Sequence, residues 1–192
     1  MFSYIGVILS MLSIYFTAND NYKLAIMCFM FAGIVDMFDG KVASKFNRDE
    51  KQKQFGTEID SIIDTVNFGM IPIIIFNGLG FANWYDYVLM FLYIFSVTMR
   101  LAYFNTYLIE QKENNEKYEI YIGFPVTSIA LFLPFAYILY RIFPNLIFMR
   151  LGLLIPSILF LGRIKIKRYK SLKFNLILLG IGISMLVWIM VG

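Results

Sequence analysis

Four aspartates stand inside runs that are otherwise mostly apolar: Asp36 and Asp39 in "IVDMFDGKVA", and Asp60 and Asp64 in "FGTEIDSIIDTVNF". The first pair is spaced i, i+3 and the second i, i+4, so on helices each pair shares one face. Two antiparallel helices joined by a short connection can bring those faces together. Four gathered carboxylates repel one another unless cations neutralise them, and divalent ions bound through oxygen stay open to substrate phosphates. The chain has no histidine and one cysteine, Cys28. A metal site would therefore be built mainly from oxygen, which favours Mg2+, Mn2+ or Ca2+ over zinc. Any general base must be a carboxylate, Lys, Tyr or a metal-bound water. Gly40 follows Asp39, and Gly56 lies four residues before Asp60. A missing side chain there lets a bulky ligand approach the backbone, or serves helix packing. The blander reading, of acids that cap helices or stay solvated, suits Asp49, Glu50, Glu110, Glu113, Glu116 and Glu119; acids inside membrane segments are usually functional.

The elements that must carry these residues are membrane helices. The 192 residues are 59% hydrophobic and 16% charged, with mean hydropathy +0.69, too apolar for an ordinary soluble domain. Apolar runs predict seven helices, at 2–18, 22–43, 55–77, 84–108, 122–142, 146–161 and 172–191. The first lacks the basic leader of a signal peptide and reads as a helix that stays. No repeat, low-complexity tract or soluble domain interrupts them, so 1–192 is one polytopic membrane domain, with core helices in 2–161 and an extra C-terminal helix. Basic residues cluster in three connections: Lys41, Lys45, Arg48, Lys51 and Lys53; Lys112 and Lys117; and Arg163, Lys165, Lys167, Arg168, Lys170 and Lys173. Alternate spans put all three on one side, which the positive-inside rule makes cytoplasmic, with the N-terminus inside. The four acids and Arg100 then share one depth, at the cytoplasmic border of a cell membrane. No nucleic-acid partner is expected.

The motif D-x-x-D-G-x-x-A followed by G-x-x-x-D-x-x-x-D reads here as Asp36, Asp39, Gly40, Ala43, Gly56, Asp60 and Asp64. It resembles the signature of the CDP-alcohol phosphotransferases, integral membrane enzymes of phospholipid synthesis, and within them the membrane-type phosphatidylserine synthases. "FGTEIDSIIDTVNFGMIP", "MRLAYFN" around Arg100, "GFPVTS" at 123–128 and "GRIKIKRYK" at 162–170 are similar to later stretches of that branch. The resemblance implies an all-α fold of six core helices, here with a seventh, and transfer of a phosphatidyl group from CDP-diacylglycerol, or an ether-lipid analogue, to the hydroxyl of L-serine with release of CMP. It implies two ions of Mg2+ or Mn2+, with Ca2+ able to occupy the site without supporting turnover. Asp36, Asp39 and Asp60 would hold the first ion, and Asp64 would contribute to the second and act as the base. The CDP-lipid would meet Ser10, Ser13, Asp39, Gly40, Lys41, Ala43, Ser44, Gly56 and Asp60. Arg100 and Lys165 are candidates for the acceptor, Arg100 equally a counter-ion to the acids and Lys165 more readily a positive-inside membrane anchor. A homodimer is implied as well. The family pattern has Arg where this chain has Ser44, with Lys41 and Lys45 the nearby cations, and the gap from Ala43 to Gly56 is longer than the pattern's.

Two rival readings are distinguishable in principle. Another acceptor, such as glycerol 3-phosphate or inositol phosphate, would use the same core but call for more basic residues in the pocket; Arg141 and Arg150 fall towards the far side. A cation transporter would place its acids near the midplane, often on broken helices.

Overall fold

The computed structural model describes the backbone of residues 3–43, 49–113, 120–122, 124–162, 165–167 and 172–191, and side chains over 4–38, 49–107, 124–162 and 178–191. The fold is helical. In chain order it comprises α1 (Ser3–Ala18), α2 (Tyr22–Ala43), α3 (Glu50–Asp64), a π-helical segment (Thr65–Met70), α4 (Ile71–Gly78), α5 (Trp84–Glu113), β1 (Ile120–Ile122), a 3-10 turn (Val126–Ser128), α6 (Ile129–Ile142), α7 (Ile147–Leu161), β2 (Lys165–Lys167) and α8 (Leu172–Val191). α3, the π segment and α4 form one rod. That rod and α5 up to Tyr107 are both long and apolar enough to cross a membrane.

On α1, burial runs opposite to that of a helix in a soluble bundle. α1 buries Gly6, Ser10, Ser13 and Thr17 and exposes Tyr4, Ile5, Ile8, Met11, Leu12 and Tyr15. Small residues at i, i+4, i+7 and i+11 let α1 lie close along α2, where the Ser13 hydroxyl donates to the Ala25 carbonyl at 2.8 Å. With apolar solvent outside there is no gain in hiding large side chains, so close packing of small ones joins the helices. The same device recurs elsewhere. A Cβ on Gly152 of α7 would lie 2.5 Å from the Ala136 Cβ of α6, and one on Gly69 would lie 2.6 Å from Ile94 of α5. Larger rings fill the centre: Phe29 and Phe68 meet edge-on, and Phe76 stacks on Phe81.

Tight turns close one end of the bundle. Asp20 adopts φ 56°, the left-handed conformation that Asp tolerates better than most residues, and the Asn21 side chain accepts from Leu24 N at 3.2 Å to start α2. The Tyr22 hydroxyl spans Asp20 and the Gly78 carbonyl. Nearby, Arg150 of α7 reaches Asp86 of α5 through Nε at 2.8 Å and Nη2 at 3.3 Å, with its guanidinium over Phe81 and Tyr85.

The opposite end holds the longer connections. α3 starts at Glu50, five residues before the position expected from apolar periodicity, because Asp49 and Gln52 form a reciprocal cap: Gln52 N donates to Asp49 Oδ1 at 2.7 Å and Asp49 N to Gln52 Oε1 at 3.3 Å. Asp49, expected to cap a helix or stay solvated, is thus the cap of α3. At the same end β1 and β2 pair antiparallel, with Ile122 opposite Lys165 and Ile120 opposite Lys167. The sequence reading contained no strand. This ladder ties the segment before α6 to the segment after α7.

Candidate functional site

The rod from Glu50 to Gly78 changes its winding midway, and the cause is local. Pro72 has no N–H to give the carbonyl four residues behind it, that of Phe68. The winding widens to i→i+5 over Thr65–Met70, so that Ile71 N donates to the Val66 carbonyl. The hydroxyl of Tyr93, a fully buried residue of α5, donates to the Phe68 carbonyl in place of the missing amide. Proline and tyrosine together fix where the regular α3 helix ends, immediately after Asp64.

Contacts around this segment set the depth of the acids. A Cβ on Gly6 would lie 3.1 Å from Asn67 Nδ2 and 4.0 Å from the Ala32 carbonyl oxygen, so α1, α2 and the π segment converge at one level. Asp36 is four residues beyond Ala32 and Asp64 three before Asn67; the antiparallel α2 and rod therefore carry these two acids about one turn above that junction. α1 packs along α2 and also touches α3, the π segment and α4, making it the shared neighbour of both acid-bearing elements. Asp36, Asp60 and Asp64 are each half-buried, and Asp64 Oδ1 is cut off from solvent. Among the described residues no group of three acids stands together as a metal-binding cluster. The side chains of Asp39, Gly40, Lys41, Ala43 and Lys165 lie outside those described, as does Ser44 entirely.

α5 supplies the other wall. Asn105 Nδ2 donates to Ser61 Oγ at 3.0 Å, next to Asp60, and Ser61 Oγ also lies 3.2 Å from Asn105 Oδ1. These bonds set the register of α3 against α5. Five residues deeper, Arg100 is 6% exposed; its Nε donates to the Phe124 carbonyl at 3.0 Å, and its guanidinium lies over Phe104. The structure thus joins two stretches picked out in sequence, "MRLAYFN" and "GFPVTS", through one cation.

The two serines expected to meet the nucleotide differ. The Ser13 hydroxyl is committed to the Ala25 carbonyl, towards the end with the tight turns. Ser10 is 1% exposed, and its hydroxyl finds no hydrogen-bond partner among the described residues; the same holds for Asn67 Oδ1 and Ser128 Oγ. Sequence reasoning passed over Asn67, Tyr93, Ser61 and Asn105. For Asn67 a signal existed: it is an amide in a mostly apolar stretch, three residues after Asp64.

The chain matches the CDP-alcohol phosphatidyltransferase family over residues 1–190. It is 30% identical over 120 residues to a CDP-diacylglycerol–serine O-phosphatidyltransferase of Mycobacterium tuberculosis, covering 62% of this chain and 41% of that protein. It is 31% identical over 147 residues to the Saccharomyces cerevisiae protein of that name, covering 73% and 52%. With the Helicobacter pylori protein of that name the identity is 26% over 184 residues, covering 92% and 74%. The chain spans about two fifths of the length of the mycobacterial relatives it matches. The extent of the family match, together with two antiparallel elements bearing the D-x-x-D-G and D-x-x-x-D acids at matched depth, leads to one conclusion: the chain belongs to the CDP-alcohol phosphatidyltransferase family.

Proposed function

We propose that this chain transfers the phosphatidyl group of CDP-diacylglycerol, or of an ether-linked analogue, to the hydroxyl of L-serine, giving phosphatidylserine and CMP. What carries the reading is the complete acid signature from Asp36 to Asp64 inside a family match of nearly the whole chain, with relatives in three organisms named for this transfer. In the reaction the serine oxygen bonds to the lipid-side phosphorus, and the bond from that phosphorus to the bridging oxygen breaks. CMP departs with the electron pair, and the hydroxyl proton passes to an Asp64 oxygen. The residues fit divalent ions: the donors are carboxylates, the described ones are half-buried, and the chain has no histidine. Asp36, Asp39 and Asp60 would hold one Mg2+ or Mn2+ and Asp64 part of a second; when bound, such ions neutralise the diphosphate and the charge developing on CMP.

The remaining roles follow from substrate chemistry. The acyl chains stay in the bilayer while cytidine reaches water, so the reacting phosphorus belongs at a membrane border. The basic connections make that border cytoplasmic, with the N-terminus inside and six core helices followed by a seventh span, α8. Gly40 and Gly56 leave room for the diphosphate, with Lys41 beside it. Arg100, whose Nε donates to the Phe124 carbonyl, is the candidate cation for the serine carboxylate. The test uses the purified full chain with CDP-diacylglycerol, Mg2+ or Mn2+, and L-serine, glycerol 3-phosphate or inositol phosphate, following CMP. Serine-dependent CMP is expected. No CMP with serine sinks the assignment, and CMP with another alcohol reassigns the acceptor.

A further inference from the structure

Asn67 is 2% exposed and its Oδ1 accepts no hydrogen bond among the described residues. A buried amide oxygen left so costs about 1–3 kcal/mol, and most buried polar groups in folded proteins have a partner. Its position is also unusual. It lies in the π segment, a winding often found at functional sites, and its amide rests against α1 where Gly6 has no side chain: a Cβ there would come within 3.1 Å of Nδ2. The junction of Gly6, Ala32 and Asn67 lies about one turn beneath the level of Asp36 and Asp64. Ser10, one turn further along the same face of α1, has a second buried hydroxyl without a partner among the described residues. A polar floor with hydrogen-bonding capacity to spare therefore underlies the acids.

We infer that Asn67 is a positioning residue for the divalent ion: its Oδ1 accepts a hydrogen bond from a water coordinated to the ion that the acids hold. A hard cation of this kind keeps several of its waters. Those waters are strong donors that need acceptors beyond the carboxylates, and groups that hold them change metal affinity by roughly 10–100-fold. Asn67 is the polar side chain one turn from Asp64 on the same rod, and it presents an acceptor. The inference rests on the proposed metal site, and the experiment separates the two.

Mn2+ binding to the detergent-solubilised full chain, without lipid or serine, is measured by the loss of the free Mn2+ electron paramagnetic resonance signal. Asn67→Leu and Asn67→Ala remove the acceptor, one keeping the volume and the other avoiding any clash; Asn67→Asp keeps an oxygen in place. Wild type should bind Mn2+, the Leu and Ala variants roughly 10-fold or more weaker, and the Asp variant within a few-fold of wild type. Should Leu fail to fold, the comparison of Ala with Asp carries the result. Wild-type affinity in the Leu or Ala variant overturns the inference, as does an Asp variant as weak as Ala, which would mean packing and not acceptance is lost. A wild-type chain that binds no Mn2+ removes the metal site itself.

Discussion

Tyr93→Phe deletes one oxygen from a fully buried ring and should report on the whole π segment. The hydroxyl donates to the Phe68 carbonyl, whose regular helical donor would be residue 72, and Pro72 has none to give. Side-chain hydrogen bonds inside membrane proteins average ~0.6 kcal/mol, because the separated helices find other partners. A buried acceptor stripped of its donor costs more, about 1–3 kcal/mol. The second figure governs here, since proline blocks the local substitute. A loss of about 1–2 kcal/mol is expected, which for a chain of this size lowers Tm by roughly 2–8 °C. Thermal unfolding of the purified protein in detergent, followed by the fluorescence of Trp84 and Trp188, measures it. The mechanism makes a sharper demand in combination. Pro72→Ala restores an N–H at that position, so in the Tyr93→Phe background it should recover much of the loss, leaving the two changes non-additive by about 1 kcal/mol. Strict additivity, or a Tyr93→Phe protein that melts with wild type, would refute the account of how the rod is wound.

Three further outcomes are expected. Asp64→Asn should abolish CMP release while CDP-diacylglycerol binding, measured by titration calorimetry, stays largely intact; turnover like that of wild type would exclude it as the base. Arg150→Met leaves the fully buried Asp86 without its cation and should cost about 3–5 kcal/mol in denaturant unfolding, whereas Arg150→Lys, with a point charge in place of the fork, should fall between. Gly152→Val places a Cβ 2.5 Å from that of Ala136 and should destabilise by about 1–3 kcal/mol. Ala136→Gly in the same chain should recover part of this, and no recovery would mean that α6 and α7 do not meet there.

The helices were legible because lipid asks little of a sequence beyond apolar length and punctuation. Their ends were less so, for identifiable reasons. α3 begins at a cap made by Asp49 and Gln52, two polar residues that a search for apolar periodicity discards, and α5 runs on to Glu113 through residues too polar to count as a span. The ladder between β1 and β2 joins segments more than forty positions apart, and no local pattern in either announces a partner.

The site was legible at the level of its acids and opaque just below them. Spacing alone placed Asp36 with Asp39 and Asp60 with Asp64, because carboxylates that share a face on an apolar helix have few other uses. It also put Arg100 on the helix opposite, where its Nε reaches the Phe124 carbonyl. Beyond Asp64, however, a wheel drawn at 3.6 residues per turn misleads. The π segment takes an extra residue into its turn, so every side chain from Thr65 onward is rotated from where the wheel puts it. The sign was present in Pro72, read in sequence only as the end of "FGMIP", but a proline forces no particular repair: it can kink a helix, end it, or widen it. Which repair is used depends on what stands opposite the stranded carbonyl, and that is Tyr93, on another helix. With the tyrosine there, the stretch from Glu50 to Gly78 remains one span, and its irregularity turns Asn67 towards Gly6. A residue that looked like a stray amide in a membrane helix thereby becomes part of the floor beneath the acids.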